Sequence, residues 1–437
     1  MESKRIALRR VLKSMELFAL GYSDVSSTYY FSMGIIALYS GSSLPIVMLL
    51  GSIPLWIAGL TYAELGSAMP EAGGAYYYVR QELGRVPGFI AGWLLDFDQI
   101  LMISYGAVGF SGYLSVLVED LRVWPLNAIV SLLMIWVLAI INIIGIKPSA
   151  RFNLALVAID LTGILTLAIL GAYSILHRVH YVSPSVSFAI PAIGLSYALR
   201  GYTGIDVIAQ SAGEALLPGR SVPRSIVAIC TLSTAVALII SIITSYAGLI
   251  PYISEHLNDP LGALAVGLFG HGLLSAYISF SIALVMLLSV NAGIVDYSRS
   301  IYSMSNDSLM PKQLAIVHPR FKTPYLSIIT ASSVASLFVL SNDVELIAGS
   351  YGIASVITYA LAILALIRFK ASNVAEGFST PILRVSNLRI PVLALVGLPI
   401  FAMAIMLEVI YKPQYVLPVT LWLIVGFIIL LSMRNFK

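Results

Sequence analysis

The feature that most constrains this chain is the recurrence of long segments without a single Asp, Glu, Lys or Arg: residues 123–146, 225–254, 260–295, 346–367 and 413–433. A bilayer-spanning helix needs about 20 apolar residues, and each of these segments is long enough. Hydrocarbon leaves no water to satisfy backbone polar groups, so such runs must satisfy them internally as helices. One run would fit a signal or an anchor; this many define an all-α integral membrane protein. Composition agrees, with 59% hydrophobic residues and 11% charged residues, against about 25% charged in a soluble domain. The single cysteine, Cys230, sits inside an apolar run and excludes a disulfide-stapled secreted domain. The net charge of +4 comes from basic residues scattered among loops, which reads as membrane topology and not as nucleic-acid binding.

Breaks at charge, Pro or Gly divide the chain into twelve transmembrane helices, near 14–38, 44–66, 88–117, 123–145, 150–176, 188–214, 223–250, 270–304, 324–341, 345–368, 390–410 and 415–433. An even number puts both termini on one side. Most basic residues lie on that side, whereas Arg122, Arg178 and Lys412 alone occupy the opposite loops. The positive-inside bias therefore makes both termini cytoplasmic in a multi-pass protein of the cell membrane, surrounded by lipid. No cleavable signal peptide is expected, because a charged N-terminus runs into a full-length first span. The connectors 67–87, 177–187, 305–323 and 369–389 are too short to fold alone, so 1–437 is a single membrane domain. Within the first connector, Tyr76, Val79 and Leu83 share a helical face opposite Arg80, Glu82 and Arg85. That pattern fits a helix on the cytoplasmic face, lying along it or packed as a loop helix.

Charge inside a bilayer is costly, on the order of 2.5–3.5 kcal/mol for a central Asp, and marks cavities and partners. Asp24 lies in span 1 within Gly21-Tyr22-Ser23-Asp24-Val25-Ser26-Ser27-Thr28, a run of small and hydroxyl residues that disfavours an uninterrupted helix. Span 6 has a counterpart in Arg200-Gly201-Tyr202-Thr203-Gly204-Ile205-Asp206. Interrupted spans 1 and 6, each opening a five-span half, point to an inverted-repeat transporter with its site at the breaks. Unwinding frees N–H groups for a carboxylate and carbonyls for an ammonium or a cation, and an amino acid carries both charges. Arg200, at midplane, calls for an anionic partner: Asp24, Asp206 or a substrate carboxylate. Asp160 stands in an otherwise uncharged stretch and reads as a partner-seeking carboxylate. Asp96 and Asp98 face different sides of span 3, so at most one lines a cavity. Asp296 precedes Arg299 on one helical face, which fits an intrahelical pair. The five histidines pair with no acid at metal-ligand spacing, and no nucleotide-binding motif is present, so neither a metal site nor a cofactor is implied.

Three separated blocks resemble the amino acid-polyamine-organocation (APC) family of permeases: Tyr62-Ala63-Glu64-Leu65 with Pro70-Glu71-Ala72-Gly73-Gly74-Ala75-Tyr76 and Gly84; Gly201 to Asp206 with Glu214, Pro218 and Val222-Pro223-Arg224; and Arg299-Ser300-Ile301-Tyr302 with Asp307, Leu309-Met310-Pro311 and Thr323-Pro324. The resemblance implies a LeuT-type 5+5 inverted repeat, 14–176 and 188–368, with two additional C-terminal helices in 390–433. It also implies alternating-access transport of amino acids or related amines, without enzymatic chemistry. The family's span 1 break falls on Val25-Ser26-Ser27, so Ser23, Asp24, Ser26, Ser27 and Thr28 become candidate substrate contacts with Arg200, Gly201, Tyr202 and Gly204. Asp206 matches an acidic gate position of the family, and Asp160 falls where some proton-coupled relatives carry a lysine. Asp160, Asp206 and Asp98 are thus the gate or coupling candidates, with a proton, or another monovalent cation, as the coupled ion. A potassium or other inorganic cation importer and a nontransporting amino acid sensor are the alternative functions.

Overall fold

The computed structural model describes residues 10, 12–71, 73–145, 150–177, 190–372, 377–385 and 388–434. Helix dominates: α1 (Ser14–Ser40), α2 (Leu44–Ala68), α3 (Gly74–Leu83), α4 (Arg85–Leu114), α5 (Leu126–Ile144), α6 (Ala150–Leu176), α7 (Ala192–Leu199), α8 (Asp206–Gln210), α9 (Pro218–Tyr246), α10 (Ile250–Glu255), α11 (Pro260–Phe269), α12 (Leu273–Asn306), α13 (Tyr325–Leu340), α14 (Val344–Ser372), α15 (Val392–Tyr411) and α16 (Val416–Arg434). The protein is a helical integral membrane protein. Nine stretches among the described residues are long and apolar enough to cross a membrane, one of them, Ser14–Ala68, running through both α1 and α2. The 16-residue α13 and the short α7 and α8 fall below that length, which separates this number from the twelve spans expected.

Two features depart from the sequence reading. The connector after α14 is not simply a polar loop, because Ile382–Val385 (β1) and Leu388–Pro391 (β2) pair as an antiparallel hairpin leading into α15. More consequentially, α1 is helical without a break from Ser14 to Ser40. Its hydroxyls explain why: Ser23, Ser27, Thr28 and Ser32 donate to the carbonyls of Leu20, Asp24, Asp24 and Thr28 at 2.8–3.0 Å. Side chains that compete with helix formation in water bond back to the preceding turn here, where no water is available.

Association of such helices rests on close packing, because lipid is as apolar as a leucine side chain. α4 lies along α12, and α2 along α9. Contact is tight enough that a Cβ on Gly51 would lie 2.5 Å from the Ala198 carbonyl oxygen. α3 packs against α4, α14 and α8, burying Tyr76, Tyr78 and Val79, so it is a packed loop helix. The last two helices join from outside. α16 is pinned to α4 by Trp93 and Trp422, whose rings stack at 4.2 Å and whose indole N–H groups each donate to the other residue's carbonyl at 2.7 Å.

Polar clusters, here called locks, join helices at both ends of the bundle. At the end bearing the start of α1, Lys370 pairs with Glu64 at 3.0 Å, while Thr380 donates its N–H and hydroxyl to the same carboxylate. Nearby, Arg80 pairs with Asp307, which also accepts from Tyr76. At the other end, Glu345 accepts hydrogen bonds from Tyr39, Tyr197, Lys412 and Tyr415.

Candidate functional site

The chain is interrupted where span 6 was expected to break. α7 stops at Leu199, α8 starts at Asp206, and Gly204 between them has φ of +100°. That angle suits a residue without Cβ. Space requires glycine too, since a Cβ on Gly204 would lie 2.6 Å from the Asp24 Cγ. The Gly204 N–H donates to the Tyr359 hydroxyl at 3.2 Å, and the Thr203 carbonyl accepts from Thr28 at 3.4 Å. Tyr202 donates to the Met48 carbonyl at 3.1 Å, fixing the interruption to α2.

Asp24 therefore faces the interruption from the middle of α1. It is fully buried, and neither carboxylate oxygen has a hydrogen-bond partner among the described residues. Buried polar groups are nearly always paired. Asp96 and Glu408 also have both oxygens without a hydrogen-bond partner among the described residues, but Asp24 is the carboxylate set directly against the interruption. Asp206 at the start of α8, Asp98 on α4 and Asp296 on α12 lie within its electrostatic reach. Asp98 accepts from Ser355 on α14, and Asp206 accepts from Gln210 at 3.0 Å. Tyr105 closes the opposite flank, its hydroxyl 3.0 Å from Ser27 and 3.1 Å from Thr28. Asp24, Asp98 and Asp206 thus lie about a helix break with tyrosines around it, and Asp296 is in electrostatic range. No Lys or Arg forms an ion pair with any of these four among the described residues. Such a site is suited to an ammonium group or a cation.

The other candidates sort themselves by position. Ser23, Ser26, Ser27 and Thr28 lie on continuous helix, so their N–H groups are engaged within α1 and do not form the expected donor nest. Arg200 turns away from Asp24 and Asp206. Its partner is Glu408 on α15, at 3.1 Å with both side chains 3% exposed, and its guanidinium stands 4.2 Å over the Tyr197 ring. Asp160 occupies a separate position across α1, accepting hydrogen bonds from Tyr22 at 2.8 Å and Tyr30 at 3.0 Å. Asp96 is buried next to Ser300 and Tyr297 of α12. The expected Asp296–Arg299 pair does not form: Arg299 pairs with Glu214 at 3.1 Å, leaving one oxygen of buried Asp296 without a partner.

Sequence reading missed Tyr105, Tyr359 and Ser355, because neutral residues at mid-span carry no charge signal. It also missed Glu408, although a lone acid in the apolar 390–410 span meets the criterion that singled out Asp160.

Comparison with known proteins gives the family. The methylthioribose transporter of Bacillus subtilis (strain 168) is 28% identical over 87% of this chain and 86% of its own length. The branched-chain amino acid permease BcaP of the same organism is 25% identical over 74% of this chain and 72% of its own. Its serine/threonine exchanger SteT is 25% identical over 85% of each. The amino acid permease family model matches residues 12–433. Matched by that model over nearly its full length, the chain belongs to the amino acid permease family.

Proposed function

We propose that the protein carries an amino acid or related amine across the cell membrane by alternating access, driven by a proton gradient, with its termini in the cytoplasm. Amino acid transport itself follows from the family, and no enzymatic step is involved. The twelve crossings, the two inverted repeats and the site are part of the proposal.

The observation that carries the site is Asp24, a buried carboxylate without a hydrogen-bond partner, set against the α7–α8 interruption. A substrate ammonium is its natural counterpart, held also by Asp98 and Asp206. The tyrosine faces around the break would accommodate the rest of the molecule. Because polar locks join helices at both ends of the bundle, this conformation corresponds to an occluded intermediate, and transport requires each lock to open in turn. Asp160, bonded by two tyrosine hydroxyls and without a cationic partner among the described residues, is the proposed proton carrier.

The acidity of the site supports a second reading, an inorganic cation such as potassium as cargo. Uptake into proteoliposomes, competed by a panel of amino acids, their decarboxylated amines and potassium, separates the two. Competition by amino acids or amines supports the first reading, and competition by potassium alone the second. The site itself is tested by Asp24→Asn, which abolishes competition in either case.

A further inference from the structure

The Arg200–Glu408 pair is unusual in its chemistry. Both groups are buried and 3.1 Å apart, yet none of the guanidinium nitrogens makes a well-aligned hydrogen bond among the described residues, and Glu408 has only the Ser196 hydroxyl as a further polar neighbour. A buried ion pair compensates for its lost hydration only when geometry is good and the remaining donors and acceptors are satisfied. The pair is held mainly by charge and by the Tyr197 ring beneath the guanidinium, and its single 3.1 Å approach leaves Arg200 short of the bidentate geometry a free carboxylate could offer.

Its route to Glu408 is specific. Arg200 is where α7 ends, and the same interruption closes at Gly204 against Asp24. From there the side chain passes through a gap in α14, since a Cβ on Gly352 would stand 2.1 Å from the Arg200 Cδ. It emerges in a crevice between α7, α14 and α15 lined by Ser196, Val356, Ile405 and Glu408. Glu408 in turn lies one helical turn before Lys412, within its electrostatic reach, and Lys412 is the cation that binds Glu345 at 2.9 Å in the lock at the far end of the bundle.

We propose that Glu408 is a stand-in for the substrate carboxylate. It holds Arg200 in the substrate-free protein and is displaced when an amino acid's carboxylate takes the guanidinium in a bidentate pair. Glu408, released, competes with Glu345 for Lys412, so that carboxylate binding loosens the lock joining Tyr39, Tyr197, Glu345 and Tyr415. This inference rests on the reading that the substrate occupies the α7–α8 interruption. It adds that Arg200, Glu408 and Lys412 select for substrates with a carboxylate and couple that selection to opening.

The test is equilibrium binding to the purified full chain, using each amino acid that stabilises the wild-type protein against heat and its decarboxylated amine. Glu408→Gln removes the competitor, so amino acids bind about tenfold more tightly while amines bind as before. Uptake by the same variant slows, because the lock loses its trigger. Arg200→Gln weakens amino acids at least about tenfold more than amines, and the double variant binds like Arg200→Gln alone. If Arg200→Gln affects both classes equally, the carboxylate does not reach Arg200 and the inference is overturned, whereas the reading of the site itself fails only if Asp24→Asn leaves binding of both classes intact. If Arg200→Gln is selective but Glu408→Gln leaves amino acid affinity unchanged or reduced, the stand-in role alone is overturned. Should Glu408→Gln not fold, Glu408→Asp decides the matter: selective tightening sustains the proposal, and unchanged affinity rejects it.

Discussion

Gly204 and Asp24 are in direct apposition: the backbone of the interruption approaches the α1 carboxylate so closely that a Cβ on Gly204 would lie 2.6 Å from the Asp24 Cγ. Gly204→Ala therefore meets both a steric conflict with a buried charge and a φ of +100° that L-residues avoid. Uptake should fall more than about tenfold, with a lower melting temperature. Gly201→Ala has its closest approach to the Ile36 Cδ1 at 2.9 Å, the end of a flexible side chain, with the Tyr197 and Ala198 carbonyl oxygens farther off at 3.2 and 3.4 Å, and should lose less activity than Gly204→Ala. Uptake assays and thermal melts of the two variants side by side check the contrast.

For coupling, Asp160→Asn should preserve substrate binding and substrate exchange while removing accumulation driven by a pH gradient, because exchange need not move the proton. Tyr22→Phe and Tyr30→Phe, each deleting one hydrogen bond to Asp160, should shift the pH profile of uptake without abolishing it. A parent protein that requires sodium, or an Asp160→Asn variant that still accumulates substrate with an unaltered profile, would refute the scheme.

A pH dependence of stability is expected at the end of the bundle opposite the start of α1. Asp259, in the loop before α11, is buried, and burial pushes its carboxyl up from 3.8 to about 7 despite the nearby Arg122 at 3.4 Å. The folded protein then holds a proton that the unfolded chain has released between pH of about 4 and about 7, so this group's contribution to stability declines as pH rises through that window. Asp259→Asn should flatten the dependence, raising the melting temperature at pH 8 by about 2–4 °C relative to wild type and leaving it little changed at acidic pH. Melting curves of both proteins from pH 5 to 8 provide the measurement.

The Glu64–Lys370 lock should behave as a buried pair does. Glu64→Gln or Lys370→Met alone strands the partner charge and should cost about 3–5 kcal/mol, whereas the double variant should cost clearly less than the sum. Thr380, which donates twice to Glu64, adds a term that Thr380→Val would expose. A double-mutant cycle by denaturant titration in detergent would show the non-additivity, and strict additivity would argue that the two residues do not interact.

What sequence could and could not reveal follows from what each residue signals. Runs without charge announce membrane helices because hydrocarbon penalises charge over any alternative. The glycines of span 6 announced its interruption because only glycine fits a backbone that close to Asp24. The same reasoning failed for span 1, where hydroxyl residues carry opposite implications depending on solvent: in water they loosen a helix, and in a dry bundle they close it. Arg200 was recognisable as needing an anion, but the choice of Glu408 over Asp24 depends on a missing Cβ at Gly352, distant in sequence. Hydroxyl groups such as Tyr105 and Ser355 leave no mark in the sequence that distinguishes them from packing residues.

The back-bonded hydroxyls of α1 have a bearing on how that helix would move. A helix broken by a rigid kink has one shape, and a helix of plain aliphatic residues surrenders bare carbonyls to hydrocarbon when it opens. Ser23, Ser27, Thr28 and Ser32 place α1 between these extremes, because each carbonyl released by a passing distortion already has a hydroxyl beside it that can pivot with it. Such a segment can bend at several neighbouring positions with little change in hydrogen-bond number, which makes the turn around Asp24 a graded joint in an otherwise stiff bundle.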